Sequence, residues 1–271
     1  MIRQNRVTSS AFIVFFIIIL VGIFGPYAVP YDPLASHTEQ AFQPPSSAFW
    51  LGTDHLGRDI FSRIVVATRL DLTIAVSAVA ISLFFGTILG CVAGFFGGWV
   101  DRIQSRIVDT IMAFPLFVLA MGIVAALGNS VANIVYATAI INFPFYVRVA
   151  RAEVNVRRNV EFVNAARISG NNDMRLIFVH ILPNVVPPMM VQVSLNMGWA
   201  ILNAAGLSFI GLGVRPPQAE WGIMVAEGTN YIVSGEWWIF LFPGIALAFT
   251  VLCFNFLGDG LRDIMDPRQR T

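Results

Sequence analysis

The chain has 271 residues, 56% of them hydrophobic and only 12% charged, and its mean hydropathy is +0.72. Soluble domains carry about 25% charged residues, so this chain has too little polar surface to cover a water-borne particle, and its apolar residues must face lipid. The net charge is +1 and all 17 basic residues are arginine, which excludes a basic nucleic-acid-binding domain, a P-loop with its phosphate-binding lysine, and Schiff-base chemistry through lysine.

An apolar run of about 20 residues crosses a bilayer core, and six candidates follow along the chain. The first is Ala11 to Val29, flanked by Arg3 and Arg6. Its run is long for a signal peptide and no clear cleavage site follows it, so a retained helix is expected. The second is Leu72 to Val100, glycine-rich towards its end; the third and fourth, Thr110 to Leu127 and Val131 to Val147, are separated by the Gly128-Asn129-Ser130 turn. Asn184 to Val214 and Trp237 to Gly258 are the fifth and sixth. The expected fold is all-α, a polytopic helical membrane protein.

Arginine bias orients such a chain. With the N-terminus inside, 13 of the 17 arginines fall in cytoplasmic segments, and only Arg58, Arg63, Arg69 and Arg215 are external. Six spans then place both termini in the cytoplasm. Three long polar segments remain. Pro30 to Asp71 is external, with an amphipathic helix expected from Arg58 onward. Arg148 to Pro183 is cytoplasmic, and Arg215 to Glu236 is external.

The five apolar runs from Leu72 onward hold no Asp, Glu, Arg or His. Ion-coupled carriers ordinarily need such groups inside the membrane, and so does intramembrane acid–base or metal catalysis. No catalytic, cofactor-binding or metal-binding residue is expected. Cys91 and Cys253 sit in apolar runs, and His37, His55 and His180 are scattered. A secondary carrier or a membrane-embedded enzyme is therefore disfavoured, leaving a pathway powered from outside the chain. Gln192, Asn196, Trp199 and Asn203 fall on one helical stripe. They suit a neutral, hydrogen-bonding wall of a translocation path, and equally suit interhelical hydrogen bonds worth about 0.6 kcal/mol each.

The cytoplasmic segment carries the strongest pattern. A short helix is expected from Val156 to Ser169, ended by Gly170. Asn172 or Asp173 then caps a second helix that enters the membrane near Pro183. Ala165 and Ala166 permit close approach to another protein, although a solvated charged loop reads the same way.

The order E-x3-A-A-x3-G from Glu161 to Gly170, followed by H-I-L-P-N from His180, resembles the EAA loop of bacterial ABC importer permeases. The stretches LGTDHLGRDIFSR (Leu51 to Arg63), AGFFGGWVD (Ala93 to Asp101), LSFIGLGVRPPQAEWGIM (Leu207 to Met224) and NFLGDGLRDIMDPR (Asn255 to Arg268) resemble the C-type subunit of the dipeptide/oligopeptide/nickel permease family. That resemblance implies a type I importer permease in the inner membrane of a bacterium, without enzymatic activity. Its implied partners are a second permease in a heterodimer, two ABC ATPase subunits and a periplasmic substrate-binding protein.

Carried onto this chain, the family pattern places Glu161, Ala165, Ala166 and Gly170 on an ATPase-coupling helix. Leu182 and Pro183 would hold its return to the membrane. Asn164 stands where the family often has glutamate, which changes one polar contact. Arg58, Asp59, Arg215 and Trp221 become candidates for docking the binding protein, with loop-fixing roles as the alternative. The implied division is 1–71, an N-terminal helix plus external segment, and 72–271, a core permease domain with its coupling loop at 148–183. Peptides are the expected substrate; nickel chelates, opines and other small solutes are the family's alternatives.

Overall fold

The computed structural model describes residues 6–265. Arg3, Arg268 and Arg270, which contribute to the arginine bias, lie outside the described residues, as does the end of the Asn255 to Arg268 motif. Ten helices were traced: α1 (Arg6–Ala28), α2 (Ile60–Phe96), α3 (Gly98–Met112), α4 (Leu116–Leu127), α5 (Val131–Arg157), α6 (Glu161–Ile168), the single turn α7 (Asp173–Arg175), α8 (Leu182–Phe209), α9 (Trp221–Thr229) and α10 (Trp238–Met265). No strand occurs among the described residues; Thr53 and Asp59 form one isolated bridge.

Among the described residues four helical stretches are individually long and apolar enough to span a membrane, or five if the bent pair α3–α4 counts as one broken span. Two of the six expected spans need correction. The run Thr110 to Leu127 is not one helix. It breaks after Met112, and α3 meets α4 at 88°. Pro115 explains the break, because a proline ring disfavours helical backbone in the residue before it. The run Val131 to Val147 is helical, but Asn133 and Asn142 dilute its hydropathy, and α5 continues past Arg148 to Arg157.

The expected second span also starts too late. Asp59 caps α2 by accepting the Ser62 N–H at 2.8 Å and the Ser62 hydroxyl at 2.6 Å, so the helix begins at Ile60. It runs unbroken through residues 71 and 72, and the division of the chain there has no structural seam. At the other end Gly97, with φ of +63°, stops α2 and lets the chain turn into α3.

The seam between α2 and α5 organises the bundle. Gly86, Gly90 and Gly94 recur at four-residue spacing on one face of α2. A methyl group at Gly86 would come 2.6 Å from Tyr146 Cβ, at Gly90 2.6 Å from the Val147 carbonyl, and at Gly94 2.9 Å from the Arg151 carbonyl. Small residues at this spacing let helix backbones touch, which is a main source of association where both helices already sit in apolar surroundings. Ser82 adds a hydrogen bond to the Ala139 carbonyl at 2.8 Å. Around this pair pack α8 and α10, and α1 lies against α2 and α10.

Residues 30–59 and α9 form a cap over one end of the bundle. Trp238 Nε1 donates to the Thr53 carbonyl and Trp221 Nε1 to the Ile64 carbonyl, each at 3.2 Å. The opposite end carries α6.

Candidate functional site

α6 is shorter than the expected Val156 to Ser169 helix: Val156 and Arg157 belong to α5, and α6 starts at Glu161. A single core side chain, Val163, anchors it, with Ala166 half-buried beside it. Glu161, Phe162, Asn164, Ala165 and Ile168 are exposed, Ile168 at 88% of its surface. Phe162 and Ile168 are the large apolar side chains open on this helix.

The turn after α6 is set by Gly170, whose φ of +85° disfavours any side chain although nothing lies within 4 Å of a Cβ there. The Gly170 N–H bonds the Arg167 carbonyl and the Asn171 N–H the Ala166 carbonyl, closing the helix end. Asn164 does not reach outward. Its Nδ2 donates to the Asn159 carbonyl at 3.0 Å and pins the linker before α6. Asn172, rather than Asp173, caps the next helix by accepting the Arg175 N–H at 2.9 Å.

Between α7 and α8 the backbone widens into a π-helical turn, Leu176–Ile181. Pro183, at the start of α8, has no N–H for a carbonyl one turn back, which favours the wider turn. Leu182 is half-buried and Pro183 exposed. α6 is thus slung between the long helices α5 and α8, with one side chain holding it from within.

The polar stripe on α8 divides. Asn196 and Asn203 are buried, Gln192 is half-buried, and Trp199 is 60% exposed. Gln192 Nε2 donates to Asn196 Oδ1 at 3.0 Å, and Asn203 Nδ2 donates to the Trp199 carbonyl at 2.8 Å. These two bonds run along α8 and leave the buried Asn196 Nδ2 outside them, while Trp199, Leu202 and Phe209 form the open face.

Three of the four residues expected on a docking surface are internal instead. Arg58, Asp59 and Trp221 are buried, and only Arg215 is exposed. Arg58 Nε donates to Asp54 Oδ2 at 2.6 Å and its Nη2 to Glu227 Oε2 at 3.2 Å; Arg63 lies 3.7 Å from Asp54 and 3.8 Å from Glu227. Two guanidinium groups against two carboxylates compensate one another where none is fully hydrated. Ligand atoms of Asp54, His55 and Glu227 also come within 4.8 Å of one another. Both carboxylates there are already neutralised by arginine, so a cation would add uncompensated positive charge, and the set is an ion-pair clasp rather than a metal site.

Two further buried acids were not expected. Asp71 of α2 and Glu220, the N-cap of α9, hydrogen-bond to each other through their side chains. Glu220 also accepts the Gly222 and Ile223 N–H groups at 2.9 and 2.8 Å. Burial pushes the Glu220 carboxyl above the usual carboxylate range, and the two amide donors oppose that rise.

Residues 86–271 match the family of binding-protein-dependent transport system inner membrane components. This chain belongs to that family. Residues 1–45 of the permease also match the N-terminal transmembrane domain of oligopeptide transport permease C. It is 43% identical to the probable D,D-dipeptide transport system permease protein DdpC of Escherichia coli, over 99% of this chain and 90% of that protein. It is likewise 43% identical to the dipeptide transport system permease protein DppC of Alkalihalophilus pseudofirmus, over 100% and 88%. The glutathione transport system permease protein GsiD of Pectobacterium atrosepticum is 41% identical, over 100% and 89%. This permease is accordingly a multi-pass protein of the bacterial inner membrane and not a catalytic subunit.

Two features of the permease escaped the sequence reading. Ion pairing within Leu51 to Arg63 was among the expected roles, but its closure by Glu227 of α9 was not. Val163, the anchor of α6, carries no local signal beyond being apolar between polar neighbours.

Proposed function

We propose that this permease imports peptides, as one of two homologous subunits lining a shared path, and that α6 receives the motion of separate ATPase subunits. The observation that carries this reading is the geometry of α6: a short helix with an open apolar and polar face, held by Val163 and joined directly to α5 and α8. A push on α6 reaches both long helices without crossing a flexible loop of any length. The relatives named for D,D-dipeptide, dipeptide and glutathione transport support a peptide substrate.

The arginine bias supports an α6 end in the cytoplasm, with both termini on that side. The cap then faces the periplasm, where a substrate-binding protein would meet exposed residues such as Arg215. Trp199 and Gln192 are the stripe members left open enough to line a path. ATP binding by the partners must favour one arrangement of the spans over the other by differential affinity, since a ligand shifts a conformational equilibrium only by that difference.

The test is Gly170→Val in the reconstituted transporter. A β-branched residue at φ of +85° distorts the end of α6 and leaves the spans untouched. Substrate-stimulated ATP hydrolysis and peptide uptake should separate, with the protein still in the membrane. Wild-type uptake and wild-type stimulation together would refute the assignment.

A further inference from the structure

α3 has its amphipathic pattern turned outward. Trp99, Ile103 and Ile107 follow at four-residue spacing and are all more than half exposed. The opposite face is polar and packs on α5: Asp101 accepts from Arg151 at 2.7 Å, and Asp109 accepts from Arg148 at 3.0 Å. Eight residues of α3, roughly 12 Å at the helical rise, separate the two aspartates. Their arginine partners stand a single turn apart on α5. The helix therefore crosses α5 instead of running along it, in keeping with the 88° break from α4.

α3 follows directly on α2, a helix long and apolar enough to span a membrane, on which Phe85, Leu89 and Phe96 are exposed. Along one edge of the stripe stand Arg102 and Arg106, both exposed. Neither has an ion-pair partner among the described residues, and the Arg102 guanidinium lies 5.5 Å from the centre of the Trp99 ring. Apolar residues in a stripe, a tryptophan, and arginines on the flank are what a helix lying in a membrane interface requires.

We propose that α3 lies in the plane of the membrane at the acyl–headgroup boundary and binds anionic lipid. Trp99, Ile103 and Ile107 enter the acyl region, and Arg102 and Arg106 contact lipid phosphates. The leaflet is the one on the α6 side; naming it cytoplasmic rests on the functional reading above. A guanidinium presents paired donors to phosphate oxygens and stays charged at any physiological pH, and anionic lipid is the matching charge in that leaflet.

The experiment uses the full chain, alone and with its co-purifying subunits, in nanodiscs containing lipids labelled with a quencher at shallow or deep acyl positions. The Trp99 signal is isolated by difference from Trp99→Phe. The expected result is stronger quenching by shallow than by deep labels. Quencher on phosphatidylglycerol should outperform quencher on phosphatidylcholine by roughly fivefold for each arginine, and the preference should fall to parity in R102Q/R106Q.

Equal quenching by the two headgroups in the unsubstituted chain would overturn the proposal. So would protection of Trp99 from every lipid label in the assembled transporter, which would mean that a protein partner covers the stripe. Labelling of Ser169→Cys with an impermeant maleimide reports the side of α6 separately. Labelling from outside intact cells would overturn the leaflet assignment and the coupling reading together, whereas a quenching failure with inside labelling overturns this proposal alone.

Discussion

Asp71 accepts the backbone N–H of Trp221 at 3.2 Å, a contact that joins α2 to the start of α9 across 150 positions of chain. Its carboxyl also meets that of Glu220, the N-cap of α9, so the two acids fasten the cap to the bundle.

The pH dependence follows from Glu220, whose carboxyl is raised above its ordinary value of 4.5 by burial. A raised acid favours its protonated form in the folded state. The stability it contributes is full below the ordinary value and is lost as pH climbs through the raised one. Asp71→Asn keeps an acceptor for Trp221 and supplies a permanent donor to Glu220. Thermal unfolding of the purified permease should fall in temperature as pH rises above the ordinary value of 4.5, and Asp71→Asn should flatten that slope. A parallel slope in the variant would refute the coupling of the two acids.

In the clasp, removing one cation leaves two acids inside the cap. Arg58→Ala should cost about 3–5 kcal/mol, the range for breaking a buried pair. Adding Glu227→Gln to it leaves Asp54 matched to Arg63 and should recover part of the loss. Chemical unfolding of the three proteins, compared at one detergent concentration, measures both steps.

For the α2–α5 seam, the prediction contrasts two glycines. Gly90→Ala places a methyl 2.6 Å from the Val147 carbonyl, whereas Gly122→Ala in α4 meets nothing within 4 Å. The first should cost about 1–3 kcal/mol through overpacking; the second should be neutral or stabilising, since alanine is the better helix former by about 1 kcal/mol. Equal stabilities would mean that the helices are not in backbone contact.

At α6, Ile168 and Val163 separate surface from anchor. Ile168→Asp should leave folding stability within about 0.5 kcal/mol, as surface changes do, and abolish retention of ATPase subunits during purification. Val163→Ala should cost about 1–3 kcal/mol and weaken coupling as well. Full ATPase retention by Ile168→Asp would remove α6 from the contact.

The spans were legible because an apolar run long enough for a bilayer has few alternatives, and Gly170 was legible because a helix end with a positive φ calls for glycine. What escaped was set by tertiary partners. The start of α2 at Ile60 depends on Asp59 capping it, on Arg63 finding Glu227, and on Asp71 finding the Trp221 N–H, both partners far along the chain. Charged residues read alone look solvated, so Arg58 was read both as a docking residue and as an ion-paired fixer of its loop; the second reading agrees with its place in the clasp, while its partner Glu227 was not legible. The break at Pro115 was readable from the proline itself, but the apolar run on both sides concealed it. Gly86, Gly90 and Gly94 were equally readable as a contact face, once their spacing rather than their number is considered.

That glycine face bears on how the permease moves. Helices separated by side chains slide by exchanging rotamers, but α2 and α5 meet backbone to backbone with no layer to shear. They behave as one slat, and a rearrangement that opens or closes a path has to swing this slat against α8 and α10 or against a second subunit.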